Sequence, residues 1–566
     1  MTEAPGKLDS KYILLTEGKA TVLFENENQV FYNPVQQFNR DLSTCAIRAW
    51  SELYLEERRE NRKKLSQKRK QKKLAKIQNK KDHEVANKTL DTRDLVEDNT
   101  EPIVDLVDQS QQQNSDPFIT ILEALSATGL RAIRYGLEIP LVKKVVANDL
   151  SPSATAAITR NIEYNIGASQ TVVASQGDAN TVMYNNKQKP FHIVDLDPYG
   201  TAVPFLDAAV QSVANNGMLL VTCTDLAILA GTGYPEKCYS GYGGMTTRTE
   251  FSHESALRLV LHAISSAAAR YGKSIEPLLS LSIDFYVRVF VKVRNSPLET
   301  KLLASKTMIT YTCTGCGSIS SQTMGKSVLV DSGSNDGGYK HGWSKGPPVS
   351  EHCVHCGFIH HLGGPMWAGP LHNKNFISKI QTIANNLDSS IYKTIPRIKA
   401  MTSLASEELD APFYFTTNSV ASIIHCDSPP MAHFSSALLN AGYKVSPSHA
   451  KPGAIKTDAS WNVIWDILRA WVKSNPVNED NLKPNSPAKK ILSVREPSFE
   501  VDFTPHAEAN PPSRKIKIAR YPENPPNWGP KARAKGDREL KRESNQGPKH
   551  KRDDTSSIQP EKKVKH

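Results

Sequence analysis

Residues 191–203 read "FHIVDLDPYGTAV". Phe191, Ile193 and Val194 supply the apolar run of a buried strand. The run then ends in two carboxylates, Asp195 and Asp197, and a proline, an aromatic ring and a glycine follow at once. Strands buried on both faces belong to parallel sheets and read as near-continuous apolar runs. In open sheets of that kind, ligands bind beyond the carboxyl ends of the strands. The stretch therefore asks what its acids hold, and whether neighbouring strands end the same way.

They do. "FITILEAL" from Phe118, "KKVVANDL" (143–150), "TVVASQGD" (171–178) and "MLLVTCTD" (218–225) are further strands. Helical runs separate them: Leu130 to Glu138, a helix capped by Ser151-Pro152 and stopped near Asn165 by Gly167, and a helix from about Val203 to Val213. Downstream, "EPLLSLSIDFYVRVFVKV" (276–293) supplies two more strands with a short connection. Strands and helices at this spacing predict right-handed crossovers and an α/β fold built on a mostly parallel, doubly wound sheet. Glu123, Asp149, Asp178, Asp197 and Asp225 then fall at or near strand ends and define one rim.

An acid at the end of the second strand commonly accepts hydrogen bonds from ribose hydroxyls, a role that fits Asp149. Asp178 is placed to receive the exocyclic amine of an adenine, with the backbone N–H of Ala179 beside it. The first loop, "LSATGLR" (125–131), holds a single glycine. A pyrophosphate would want three glycines in GxGxxG, so a dinucleotide is disfavoured and S-adenosylmethionine fits better. Its transferable methyl needs an oriented nucleophile and a proton acceptor. Asp197, with the backbone at Pro198, can accept an N–H of a nucleobase amine and align its lone pair, and Tyr199 offers a face for an unstacked base. The sequence Asp-Pro-aromatic after the fourth strand resembles the Asn/Asp-Pro-Pro-Tyr/Phe motif of amino-methyltransferases. The bland alternative is that Asp197-Pro198 merely starts a turn.

The chain has 566 residues, 39% of them hydrophobic, and a formal net charge of +12. The charge points to a polyanionic partner, although exposed lysine runs could supply it all. No stretch of 18 apolar residues exists, so no membrane span is expected. The N-terminus, MTEAPGKLDSKY, lacks both a signal-peptide core and the look of a transit peptide. Cys313-Thr-Gly-Cys316 and Cys353-Val-His-Cys356 form two CxxC knuckles, which predict a closed, structural four-cysteine zinc site. His352 and His355 are possible substitute ligands, and 332–347 reads as a loop inserted between the knuckles. Cys45, Cys223, Cys238 and Cys426 read as core residues.

In the expected organisation, an N-terminal segment (1–56) joins the catalytic domain. A basic then acidic low-complexity insert (57–116) interrupts it as a solvated, partly helical stretch or a phosphate-tracking arm. The methyltransferase domain spans 117–300, the four-cysteine zinc-binding region 301–369, and a second α/β domain 370–475. An extended docking segment (476–534) follows, with Trp528 packing on a domain, and a disordered basic tail (535–566) ends the chain. Lys551-Arg552 and Lys562-Lys563-Val-Lys565 are spaced like a bipartite nuclear localisation signal.

Several longer motifs carry a family resemblance: "FYNPVQQFNRDLS" (31–43), "LSATGLRAIRYGLE" (125–138), "DLDPYGT", "VTCTDLAILAG", "HESALRLVL" (253–261), "GPMWAGPLHN" and "ENPPNWGPKARA" (523–534). Together they look like the eukaryotic, fungal-like tRNA guanine-26 N2-dimethyltransferase family over most of residues 11–535. The resemblance implies a Rossmann-like class I methyltransferase domain that adds one and then two methyl groups from S-adenosyl-L-methionine to the exocyclic N2 of guanine 26 in tRNA. It implies that Arg40 and Arg131 help hold the cofactor together with Asp149, Asp178 and Ala179, that Asp197, Pro198 and Tyr199 are catalytic, and that the second domain binds RNA. Arg134 competes with Arg131 for the cofactor role. Asp195 reads as structural, taking backbone N–H groups at the turn, and His449, Lys451 and Lys456 as candidate phosphate contacts. The partner implied is tRNA, with no obligate protein partner, in the nucleus with a possible mitochondrial pool. The alternatives are an amino-methyltransferase acting on another RNA base, and an inactive zinc-containing RNA-binding protein.

Overall fold

A Gly18 turn at φ +58° joins β1 (Tyr12–Glu17) to β2 (Ala20–Glu25) as an antiparallel hairpin. The computed structural model describes residues 12–25, 33–87, 116–330, 338–478, 480, 482–494 and 496–515. After the hairpin comes one long helix, α1 (Gln37–Asn87). The core unit then alternates: β3 (Ile119–Glu123), α2 (Leu130–Glu138), β4 (Val142–Asp149), α3 (Pro152–Tyr164), β5 (Val172–Gln176), α4 (Ala179–Asn185), β6 (Phe191–Leu196), α5 (Val203–Ser212) and β7 (Val213–Cys223). Three helices, α6 (Leu226–Leu229), α7 (Pro235–Tyr242) and α8 (Ser252–Ala269), lead to the hairpin β8 (Lys273–Ile283) and β9 (Tyr286–Asn295).

Local signals explain the helix boundaries. Ser151 caps α3 by accepting from Ala154 N, Pro152 supplies the first turn with its fixed φ, and Asn165 closes the other end. Asp178 caps α4 through Thr181 N. The strands assemble in the order β5-β4-β3-β6-β7-β9-β8. β3 to β7 run parallel, and β9 lies antiparallel between β7 and β8. This is the doubly wound α/β arrangement expected from the alternation. Helices α1, α2 and α3 bury one face of the sheet through Leu42, Trp50, Ile133 and Ile158. Helices α4, α5 and α8 bury the other through Met183, Leu206, Leu257 and Val260.

The strand order reverses between β3 and β6, the place in open sheets of this kind where crossovers diverge and ligands bind at the carboxyl edge. Glu123 pairs in register with Asp195 across this seam.

Beyond α9 (Pro297–Thr300) the chain builds a three-stranded sheet from β10 (Thr307–Cys313), β11 (Ile319–Thr323) and β14 (His360–Trp367). The hairpin β12 (Gly325–Val330) and β13 (Gly338–Trp343) interrupts it. The stretch read as a loop therefore carries a strand, in which Tyr339, His341 and Trp343 alternate with Gly338, Lys340 and Gly342 and which pairs with β12. Helices α10 (Lys374–Asn385) and α11 (Ile395–Glu407) pack on α1. The remainder comprises β15 (Phe415–Thr416), α12 (Thr417–Ile424), α13 (Met431–Asn440), β16 (Val445–Ser446), β17 (Ala454–Thr457), α14 (Trp461–Ser474) and α15 (Pro487–Ser493) around Trp465 and Phe434. The segment with Trp528 and the basic tail lie outside the described residues.

Candidate functional site

All five rim acids emerge at the carboxyl edge of the parallel strands: Glu123 ends β3, Asp149 ends β4, and Asp178, Asp197 and Asp225 lie one or two residues past β5, β6 and β7. Their environments differ sharply. Asp149 Oδ2 accepts from Ala127 N at 2.9 Å and its Oδ1 from Ser151 N at 3.0 Å. It thus ties the β3–α2 loop to the start of α3. That loop is tight: Ala127 has φ +49° and Gly129 φ +78°. A Cβ on Gly129 would come within 3.2 Å of Ile158, so the glycine serves both the turn and close packing on α3.

Asp197 meets Arg131, which projects from the first turn of α2 directly after Gly129; Arg131 Nη2 donates to Asp197 Oδ2. The same guanidinium reaches Asn39 Oδ1 and Ser43 Oγ of α1, each at 3.3 Å, and lies 3.5 Å from Glu123. Arg131 is buried, whereas the Asp197 side chain keeps 13% of its surface open. Pro198 is buried behind it and Tyr199 is half-buried. Burial and the nearby carboxylates Asp197 and Asp149 raise the Tyr199 phenol well above its ordinary value, so it stays neutral. Gly200, at φ +79°, turns the chain back, with its N–H donating to Thr224 Oγ1 at 2.8 Å.

Two residues earlier, Asp195 is fully buried and plays a different part. Arg288 of β9 donates to it through Nη1 at 2.8 Å and Nη2 at 3.0 Å, and Tyr135 of α2 donates through its hydroxyl at 2.7 Å. Its carboxyl is held below the usual aspartate value, with the two arginines outweighing the cost of burial. The partners expected for it, backbone N–H groups of the turn, are replaced by side chains from another strand and a helix. Beside it, burial pushes Glu123 up to about 8, although Arg131 pulls the other way. With Glu123 protonated, the cluster pairs two arginines with two carboxylates and is neutral.

Arg40 turns towards the β1–β2 hairpin and forms a bidentate pair with Glu17, both contacts at 2.6 Å, while also donating to Asn33 O. Arg134 is buried against Glu17, Asp41 and Glu138. Of the two competing arginines, Arg131 is therefore the one that meets Asp197. Asp178 is exposed and spends Oδ1 on the cap of α4, next to buried Ala179. Asn39 Nδ2 and Asn180 Oδ1 are buried near this rim with no hydrogen-bond partner among the described residues. Such orphaned polar atoms suit a polar ligand that supplies the missing bonds.

The sequence reading missed Arg288, Tyr135, Asn39 and Ser43. A signal was present for Arg288, a lone cation in the apolar run "YVRVFV" that burial obliges to find a carboxylate. No local signal marks the other three.

Sulfur atoms of Cys313, Cys316, Cys353 and Cys356 converge, all buried and within 4.8 Å of one another. Cys313 and Cys356 are 3.2 Å apart, and Cys316 and Cys353 3.7 Å. A zinc ion with bonds of about 2.3 Å needs tetrahedral edges of about 3.8 Å, so the donor set can hold one. His372, Glu408 and His449 also have ligand spacing, but Lys456 Nζ already lies 3.0 Å from Glu408 and 3.2 Å from Glu254. That ammonium supplies the positive charge. His449 and Lys456 are thus buried in a network that joins α8 to β17, which corrects their reading as phosphate contacts. Lys451 stays partly exposed, 3.6 Å from Glu250.

Comparison with known proteins gives a consistent picture. The family model described as N2,N2-dimethylguanosine tRNA methyltransferase matches residues 11–469. The chain is 49% identical to a tRNA (guanine(26)-N(2))-dimethyltransferase of Schizosaccharomyces pombe, with 92% of each chain covered. It is 44% identical to the Saccharomyces cerevisiae protein of that name designated mitochondrial, again with 92% of each covered. Against the human protein the identity is 41%, over 92% of this chain and 77% of the relative. Among solved structures, Trm1 from Pyrococcus horikoshii in complex with S-adenosyl-L-methionine superimposes with a TM-score of 0.58 at 25% identity, covering 80% of this chain and 98% of that one.

Proposed function

The chain belongs to the N2,N2-dimethylguanosine tRNA methyltransferase family, and on that premise we propose how its own residues transfer methyl groups to N2 of guanine 26 in tRNA. The observation that carries the reading is Asp197, a partly open carboxylate held by buried Arg131 where the strand order reverses. S-adenosyl-L-methionine supplies the electrophilic methyl group when bound. Asp149, Asp178 and the Ala179 N–H hold its nucleoside end, and the Ser126–Gly129 loop, with one glycine where a pyrophosphate loop wants three, disfavours a dinucleotide. Asn39 and Asn180 bring unspent polar atoms to the same edge.

Asp197 accepts one N–H bond of the guanine amine. That bond turns the nitrogen lone pair out of conjugation with the ring, and the carboxylate receives the proton as the new N–C bond forms. Arg131, donating through Nη2 to Asp197 Oδ2, fixes the carboxylate's direction. Tyr199, neutral and half-buried, gives the extruded base a face to lie on. Because a secondary amine retains one N–H, the same contacts serve a second transfer, and the product is the dimethylated base. Arg40 can reach a cofactor only by sharing its Glu17 partner.

Cys313, Cys316, Cys353 and Cys356 would hold a structural zinc ion, and a bound ion there would tie the ends of β10 and β14 together. Residues 370–475, whose helices α10 and α11 pack on α1, are the second α/β part that shapes the approach of the tRNA. Localisation to the nucleus rests on the basic clusters at the C-terminus, and the mitochondrial designation of one relative makes a second pool reasonable.

Calorimetric titration with S-adenosyl-L-methionine, beside a turnover assay, tests the division of labour. Asp149→Ala should lose cofactor affinity, while Asp197→Ala should keep it and lose turnover by about a hundredfold or more. Turnover that survives in Asp197→Ala would overturn the assignment.

A further inference from the structure

We propose that the exposed half of α1 is a docking rail for the phosphate backbone of the substrate tRNA, an inference that rests on tRNA being the substrate. The helix is a single element of 51 residues, about 76 Å long. Its first five turns are embedded, with Leu42, Cys45, Ala46, Ala49 and Trp50 in the core. Asn39 and Ser43 on these turns touch Arg131, and Ser43 also touches Arg288. From Arg58 to Lys72 every residue is exposed.

The charge on this stretch is lopsided. Residues 57–81 contain thirteen lysines and arginines against two acids, Glu57 and Glu60, a surplus of eleven beside a net charge of +12 for the whole chain. The rest of the protein sums close to neutral, so this stretch is the main source of the net positive charge. Glu57 is moreover spent on Lys292. Among the described residues, no acid lies within ion-pair distance of any cation from Arg59 to Lys72.

A helix that had only to stay soluble would interleave acids as i,i+4 partners. This one instead sets like charges at that spacing, Arg59 over Lys63, Lys64 over Lys68 and Lys68 over Lys72, an arrangement that destabilises an isolated helix. A polyanion relieves that repulsion. At 100° per residue, Arg59, Lys63, Lys64, Lys68, Arg69 and Lys72 point to all sides of the cylinder. Such a distribution does not present one face to a groove, and it suits backbone contact without base readout. Because the same helix carries Asn39 and Ser43, RNA held on the rail is positioned relative to Asp197 by an unbroken element.

The test uses the full chain carrying K63Q, K64Q, K68Q, R69Q, K70Q and K72Q together, since glutamine keeps helix propensity close to that of lysine. Affinity for a tRNA transcript is measured across a potassium chloride series, with circular dichroism to compare helix content. The rail predicts that the slope of log Kd against log salt falls by about two or more. It also predicts a KM for tRNA raised about tenfold near 0.1 M salt, with kcat within about twofold of the parent. The reversal pair K64E/K68E should move both quantities in the same direction. A salt slope equal to the parent's would overturn the proposal. So would an unchanged slope with lost nuclear accumulation, which would assign the helix to a protein receptor. Failure of the functional reading is separate, because it would appear in the parent chain as binding without N2-methylguanosine.

Discussion

Asp195 and Asp197 stand two residues apart on the end of one strand, and their surroundings give them opposite work. Asp195, closed off by Arg288 and Tyr135, can only hold structure. Asp197 retains an open edge and one strong partner, Arg131, and is free to meet a substrate. Arg131→Lys would replace a planar fork that also touches Asn39 and Ser43 by a point charge. We expect turnover to fall more than cofactor affinity, read as a kcat loss in saturating cofactor. Glu123 gives a pH-dependent prediction. Its carboxyl is raised to about 8 by burial, so its contribution to stability is fully present below the ordinary glutamate value and is lost as pH rises through about 8. Melting temperature should therefore fall as pH rises from the ordinary glutamate value of 4.5 to about 8, and Glu123→Gln should flatten that fall; a parallel decline in both proteins would contradict the assignment. The rim acids were legible as residues because each ends an apolar run. Which of them pairs with an arginine was not, since Asp195 and Arg288 lie 93 positions apart and nothing local joins them.

Among the elements, those with complete local signals match their sequence reading. α3 has its serine cap, first-turn proline and stop, and its bounds follow from them. α1 is the less complete case: its basic half reads as a solvated, partly helical insert or a phosphate-tracking arm, and propensity alone does not set the length of a helix with no apolar face. Its continuity comes from the embedded first turns, which nucleate a helix that the exposed half extends. β9 shows how one element secures another, with Arg288 reaching across β7 to the end of β6. Asp195→Ala would leave that guanidinium buried and unpaired, at a cost of about 3–5 kcal/mol. Denaturant unfolding should register the loss as a lower midpoint with the slope unchanged. The cysteine knuckles join β10 to β14, and if the proposed zinc ion occupies them its removal would leave four thiols packed together. Strong chelation should therefore lower the melting temperature and release about one zinc ion per chain, whereas metal-free protein of unchanged stability would contradict the four-cysteine site.

At the scale of the molecule, the sheet order β5-β4-β3-β6-β7-β9-β8 puts the reversal point between the strands that carry Glu123 and Asp195. The alternation of strands and helices was readable from the sequence, but the position of β9 between β7 and β8 depends on long-range pairing that no periodicity reveals. The buried network of Glu254, Lys456, Glu408 and His449 was hidden for the same reason: lysine and histidine in a polar stretch look solvated until α8 is packed against them. Among the described residues no helix is long and apolar enough to cross a membrane. The measurement that bears most directly on the central claim is transfer of labelled methyl from S-adenosyl-L-methionine to a tRNA transcript with guanine at position 26. It is run beside an adenine-26 transcript and the Asp197→Ala protein, with the labelled nucleoside identified by mass. The account predicts N2-methylated and N2,N2-dimethylated guanosine from the guanine-26 transcript alone, and loss of both with Asp197→Ala. Label that persists on the adenine-26 transcript, or with Asp197→Ala, would contradict it.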